Sequence, residues 1–128
     1  MIAFEKVRAL LGMRRRALEP EWHGVITLRS RIDEAASAWP FTDAAIDVSP
    51  TDPGVYLLYR DGQLTYIGLA SHVRAELASH RRGAYGECTR AATAFVYELA
   101  RDPRTLYLRL LDAHRARHAG RVPSCNEP

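Results

Sequence analysis

Lysine is nearly missing from this chain. Lys6 is the only one, so arginine supplies almost all of the positive charge. Long hydrophobic runs are missing too: nothing approaches the roughly 20 consecutive apolar residues of a membrane-spanning helix, so no membrane partner is expected. The opening stretch MIAFEKVRALLGMRRR does not read as a secretory signal, because charges interrupt its apolar residues and the arginines follow them. Cysteine is scarce. Cys88 and Cys125 form no C-x-x-C pair, which makes a zinc site with His114 and His118 a poor fit, and they are expected to be reduced thiols of a cytoplasmic protein. There is no glycine-rich phosphate loop, no serine-histidine-aspartate arrangement, no internal repeat and no low-complexity tract.

What is present suits one small domain. With 47% hydrophobic residues, a chain of 128 residues can bury a core without staples. The net charge of +3 is unevenly spread: residues 1–16 are basic, and from Gly54 onward eleven arginines face seven acids. Both ends would attract polyanions. Arginine abundance with a single lysine is equally compatible with a compositional habit.

The periodicity predicts a helix over residues 3–18, weakened by Gly12 and ended by Pro20. Residues 24–38 suit a short strand or a second helix, and Pro40, Pro50 and Pro53 punctuate a loop. Residues 55–59 and 63–67 are rich in Val, Tyr, Leu, Ile and Thr and read as a hairpin. Ser71 can cap a helix running to about Arg82, GAYGECTR reads as a loop, and Thr93–Leu99 reads as a third strand. Asp102-Pro103 opens a last helix that Gly120 can close. Trp22 and Trp39 read as packing residues joining the N-terminal segment to the core.

The hairpin carries Gly54-Val55-Tyr56 on one strand and Tyr66-Ile67-Gly68 on the other. A two-residue Asp61-Gly62 loop would pair Tyr56 with Ile67 and put the two tyrosine rings on opposite faces. A three-residue loop with Gly62 left-handed would pair Tyr56 with Tyr66 and put both rings on one face. Asp-Gly suits either, so the register stays open.

The GVY triplet, followed ten residues later by YIG, resembles the signature of the GIY-YIG nucleases, over roughly residues 53–128. The resemblance implies an α+β fold for residues 53–128: a small three-stranded antiparallel sheet flanked by helices (β-β-α-β-α). Residues 1–52, which it does not cover, read as a helical N-terminal extension. It implies hydrolysis of a DNA phosphodiester with one divalent cation, Mg or Mn. Tyr56 would be the base or the relay that activates water, Tyr66 would orient the water or a phosphate oxygen, and Gly68 would let backbone approach the phosphate. His80 matches the family's helix histidine and Asn126 its C-terminal asparagine, in Pro123-Ser124-Cys125-Asn126. Two positions depart from the pattern. The helix arginine four residues before the histidine is Glu76, leaving Arg74, Arg81 and Arg82 as candidate phosphate contacts. The metal-holding glutamate of the last helix is Tyr107, leaving Glu98, Asp112 and Glu76 as candidate ligands. Those departures sustain a rival expectation, a domain that keeps the fold and holds DNA without cutting it. A further rival is a protein-interaction module in which the tyrosines are core. A lone site cuts one strand, so double-strand cleavage would take a homodimer or two binding events.

Overall fold

A computed structural model describes residues 38–127. The helix expected over residues 3–18, the element expected over 24–38, the arginines at positions 14–16 and Trp22 lie outside those residues or, for the second element, almost wholly so. The described elements are β1 (Trp39–Pro40), α1 (Asp43–Asp47), β2 (Gly54–Arg60), β3 (Gln63–Ala70), α2 (Val73–Arg81), α3 (Glu87–Arg90), β4 (Ala94–Leu99) and α4 (Pro103–Arg117), followed by a 3-10 turn at Ser124–Asn126. The fold is α+β, around one antiparallel sheet of order β1-β4-β2-β3.

The sheet has four strands where three were expected. The addition is β1, in which Trp39 pairs with Phe95 and Pro40 with Ala94. A two-residue strand ending in proline suits a sheet edge, because proline has no N–H to donate. The Trp39 ring stacks on Tyr97 at 5.3 Å between centroids and on Phe95 at 6.0 Å, which fixes this edge by burial. The stretch expected to be loop also holds α1, capped by Thr42 Oγ1, which accepts from the Ala45 N–H at 3.2 Å.

The hairpin register matches neither expected pairing. Asp61 and Gly62 both have positive φ, 51° and 85°, the form a two-residue loop requires, and Arg60 faces Gln63. The ladder then shifts between Leu58 and Tyr59, so that Tyr59 pairs with Leu64 while Leu58 pairs with Tyr66 and Tyr56 with Gly68. The extra residue is Thr65, a β-bulge. Its hydroxyl donates to the Leu58 carbonyl at 3.3 Å, giving that backbone group a partner where the ladder is interrupted. A tight loop plus one inserted residue does what a longer loop would have done: both tyrosine rings share a face.

Each face of the sheet is buried. Val55, Leu57, Tyr59, Ile67 and Val96 pack on Leu110, Leu111 and Ala113 of α4. Tyr56, Leu58, Ala70, Phe95 and Tyr97 pack on Val73 and Leu77 of α2 and on Ile46 of α1. α2 is capped not by Ser71 but by His72, whose Nδ1 accepts from the Ala75 N–H at 3.0 Å. At α4, Pro103 occupies the first turn as expected, and Asp102 accepts from the Thr105 hydroxyl at 3.2 Å. Among the described residues no helix is long and apolar enough to cross a membrane.

The cysteines are not reduced. Cys88 and Cys125 form a disulfide closing 37 residues of sequence, with Cα atoms 5.7 Å apart. Two single cysteines far apart in sequence carry no spacing signal, and only the fold brings α3 against the 3-10 turn.

Candidate functional site

The bulge delivers Tyr56 and Tyr66 to the α2 side of the sheet with ring centroids 6.0 Å apart. Gly68 lies opposite Tyr56, and a Cβ there would come within 2.5 Å of both Tyr56 Cε atoms. The glycine thus leaves room for the Tyr56 ring against the neighbouring strand. Gly54 does similar work against β4: a Cβ would meet the Glu98 carbonyl at 2.5 Å.

His80, from the last turn of α2, comes down over this pair. Its Nε2 lies 2.7 Å from the Tyr56 hydroxyl, and its Nδ1 lies 2.7 Å from Thr89 Oγ1 on α3. A neutral imidazole has one donor and one acceptor nitrogen, so Tyr56, His80 and Thr89 form one directional hydrogen-bond chain. All three are buried: Tyr56 and His80 at 1% exposure and Thr89 at 3%. Burial lowers the His80 pKa from its ordinary value to about 4, so the ring is neutral at pH 7. Burial also pushes Tyr56 well above the ordinary tyrosine range, with Tyr66, Glu76 and Tyr85 adding to the shift. Tyr66 is raised as well, chiefly by burial, but hydrogen bonding with Tyr56 offsets this in part. Of the two phenols, Tyr66 is thus the one whose anion has support, from the Tyr56 hydroxyl.

Tyr85 completes the cluster. Its ring centroid is 4.6 Å from that of His80, and Tyr66 lies 5.0 Å from His80 on another side. Glu76 acts on both catalytic-candidate phenols, and Tyr107 of α4 acts on Tyr66. The two residues that depart from the GIY-YIG pattern therefore sit where they bear on the tyrosines, with altered chemistry: a carboxylate for an arginine and a phenol for a carboxylate.

The remaining candidates are dispersed. Glu98 faces Val55 across the ladder, whereas its neighbour Tyr97 faces Tyr56, so Glu98 lies on the α4 side of the sheet, buried at 5% exposure. Asp112 is on α4, exposed, and pairs with Arg115 at 3.5 Å. Neither is on the tyrosine face. Arg74 donates to the Ser49 carbonyl at 2.8 Å. Arg81 donates to Asp43 at 2.8 Å and to the Phe41 carbonyl at 2.9 Å, tying α2 to α1. Both are engaged in holding the fold. Arg82 is exposed and donates to the Ser79 hydroxyl at 3.2 Å. Asn126 touches neither tyrosine ring through a hydrogen bond. Its side chain accepts from the Ile67 N–H and donates to the Ile67 carbonyl, each at 2.9 Å, pairing with the outer edge of β3 between Tyr66 and Gly68. That protects an edge strand and fixes the strand that carries Tyr66.

Sequence reasoning passed over Thr89 and took the cysteines as reduced, yet each bonded cysteine adjoins a residue that grips the site: Cys88 precedes Thr89 and Cys125 precedes Asn126. It also passed over Tyr85, although an aromatic flanked by Gly83 and Gly86 in a short loop is a visible signal. The His114 and His118 rings stack at 3.9 Å, but the cysteines considered as their zinc co-ligands are bonded to each other. Among the described residues no group of three or more His, Cys, Asp or Glu side chains could hold a metal ion. A cavity of about 590 Å³ lies at the hairpin tip beside the end of α4; its lining includes Tyr59 but neither Tyr56 nor Tyr66.

No family model matches the chain, and no curated protein matches it. The fold class stands on the structure alone.

Proposed function

We propose that this chain is a GIY-YIG-type domain that hydrolyses a DNA phosphodiester with one divalent cation held by Glu76. The observation that carries the proposal is the convergence of Tyr56, Tyr66 and His80 on one face, with Glu76 acting on both phenols. Magnesium keeps several waters and commonly takes one or two carboxylates plus substrate phosphate, so a single glutamate fits it where a cage of protein ligands does not form. Such an ion, when bound, lowers the pKa of bound water and neutralises charge at the phosphate. Tyr66, the more exposed phenol, meets the substrate as its phenolate, which Tyr56 supports by donating to the Tyr66 oxygen. His80 and Thr89 hold the Tyr56 hydroxyl in place. The attacking water gives one proton to Tyr66 as its oxygen bonds to phosphorus; one phosphorus–oxygen ester bond breaks, the leaving oxygen takes up a proton from solvent, and Tyr66 returns its proton to solvent.

One observation favours the second reading, a domain that binds DNA without cutting it. The ionisable groups acting most on Tyr56 are Tyr66, Glu76 and Tyr85, none of them a cation. Without positive charge the buried phenol stays protonated. The test is nicking of supercoiled plasmid by the full chain in magnesium or manganese, with and without EDTA. Tyr56→Phe and Tyr66→Phe should each lower the rate by about 100-fold or more, the scale of lost proton-transfer catalysis, and Glu76→Gln should abolish the metal-dependent cleavage. Retained DNA binding with no cleavage in any divalent metal would reject the enzyme in favour of the second reading.

The ground for expecting a cytoplasmic protein was reduced cysteines, and the bonded pair removes it.

A further inference from the structure

Tyr85 is 55% exposed, unlike Tyr56 and His80, each 1% exposed. A large aromatic left open beside a buried histidine has a structural origin that can be traced. Gly83 and Gly86 have φ of 84° and 105°, and the Gly86 N–H donates to the Gly83 carbonyl at 3.1 Å, so residues 83–86 form a closed turn with Tyr85 in its third position. The turn is anchored at its start, where the Ala84 N–H donates to the Ser79 carbonyl at 3.0 Å. It is anchored again beyond its end, where the Arg90 N–H donates to the Gly86 carbonyl at 3.3 Å. Tyr85 is therefore a ring on a fixed mount.

Arginine flanks that mount on both sides. Arg82 precedes the turn, and the Arg90 side chain lies along Gly83, where an added Cβ would meet its Cδ at 3.0 Å. Arg81, Arg82 and Arg90 line a cavity of about 370 Å³ together with Asp43 and Glu87. The two carboxylates pair with Arg81 and Arg90, and among the described residues Arg82 donates to the Ser79 hydroxyl and pairs with no carboxylate. The Arg90–Glu87 pair is exposed on both sides, at 55% and 76%, so a competing anion displaces it at little cost.

An aromatic platform beside a cationic groove is the arrangement that holds single-stranded nucleic acid: bases stack on the ring while the backbone tracks the charge. A paired base in a duplex offers its face to its neighbours and not to a protruding ring. We infer that the Gly83–Gly86 turn, with Arg82 and Arg90, binds a single-stranded segment of DNA and stacks an unpaired base on Tyr85. The proposed substrate is thereby one with an unpaired stretch next to the cut, such as a flap or a displaced strand. This rests on the DNA reading above, though not on cleavage.

The experiment is a fluorescence-anisotropy titration of the full chain against a labelled 12-nucleotide single strand and against the same sequence as a duplex, in EDTA. Wild type should bind the single strand at least tenfold more tightly than the duplex. Tyr85→Ala should weaken single-strand binding by about tenfold or more, the effect of losing one base stack, while Tyr85→Trp retains it. Arg82→Ala should lower the slope of log affinity against log salt by about 0.7, one phosphate contact on a single strand. Leu108→Ala, at an exposed position of α4, should bind as wild type does. No binding of the single strand, equal binding of duplex, or a Tyr85→Ala affinity within twofold of wild type would each overturn the inference. If plasmid nicking fails while binding still depends on Tyr85, the nuclease reading falls and this one stands; if nicking succeeds and binding ignores Tyr85, the reverse holds.

Discussion

Replacing Gly68 by alanine isolates the contact on which the tyrosine pair depends. The backbone tolerates the change, because Gly68 does not have the positive φ that would itself penalise a side chain. The obstacle is the Tyr56 ring, with both Cε atoms 2.5 Å from the new carbon and Cζ nearer still, against ordinary contacts of about 3.5–4.0 Å. The ring has little room to retreat: it is 1% exposed and its hydroxyl is bonded to His80 at 2.7 Å. Overpacking costs about 1–3 kcal/mol, and losing the partner of a buried hydroxyl costs about 1–3 more, so about 2–6 kcal/mol is expected. In urea, at a slope of about 1.5 kcal/mol/M, that is a fall of about 1–4 M in the unfolding midpoint with an unchanged slope. The informative comparison uses a Tyr56→Leu background, where no ring occupies the space. There Gly68→Ala should be neutral or stabilise by up to about 1 kcal/mol, since alanine restricts the unfolded chain more than glycine does. The double-mutant coupling should thus match the single-mutant cost. A wild-type background in which Gly68→Ala is neutral or stabilising would refute the account of why a glycine stands opposite Tyr56.

Further outcomes follow from the same cluster. His80 titrates near 4 when folded and near 6.5 when unfolded, so its contribution is complete above about pH 6.5 and is lost as pH falls towards 4. That loss is about 3 kcal/mol, and urea midpoints at pH 7.5 and 4.5 should show it in wild type but not in His80→Asn. Thr89→Val leaves His80 Nδ1 without its partner and should destabilise by about 1–3 kcal/mol, measured the same way. Reducing the disulfide frees a loop of 37 residues and should cost about 4 kcal/mol by the chain-entropy estimate, read as a lower midpoint with a phosphine reductant or in Cys88→Ser/Cys125→Ser. Asn126→Ala should cost about 1–2 kcal/mol and raise hydrogen exchange at the Ile67 amide.

Local chemistry made the hairpin strands, the Asp61-Gly62 turn and the Pro103 helix start legible, because alternation, turn residues and caps act over a few residues. The α+β class came from the order of these elements taken with the resemblance that order supports. Features set by distant contacts were not legible. A two-residue strand such as Trp39–Pro40 exists only because Phe95 and Tyr97 are there to stack against Trp39. The bulge at Thr65 leaves the letter pattern of β3 unchanged, so no reading of alternation could choose the register. Spacing set Glu98, Asp112 and Glu76 side by side as carboxylates, and strand and helix faces separated them: only Glu76 bears on the tyrosines. Thr89 and the disulfide carried no local signal, since each depends on α3 reaching a segment remote in sequence.

The bulge also sets which changes of length this hairpin can absorb. Thr65 is the residue without a ladder partner, so removing it alone would close the bulge and leave Leu58 opposite Tyr66 and Tyr56 opposite Gly68, with both tyrosines still on the α2 side. The bulge is in that sense a spare residue held between the turn and the tyrosines. Among natural or engineered variants of this stretch, hairpins one residue shorter should therefore keep the pair together, whereas those one residue longer must enlarge the bulge or send one tyrosine to the other face.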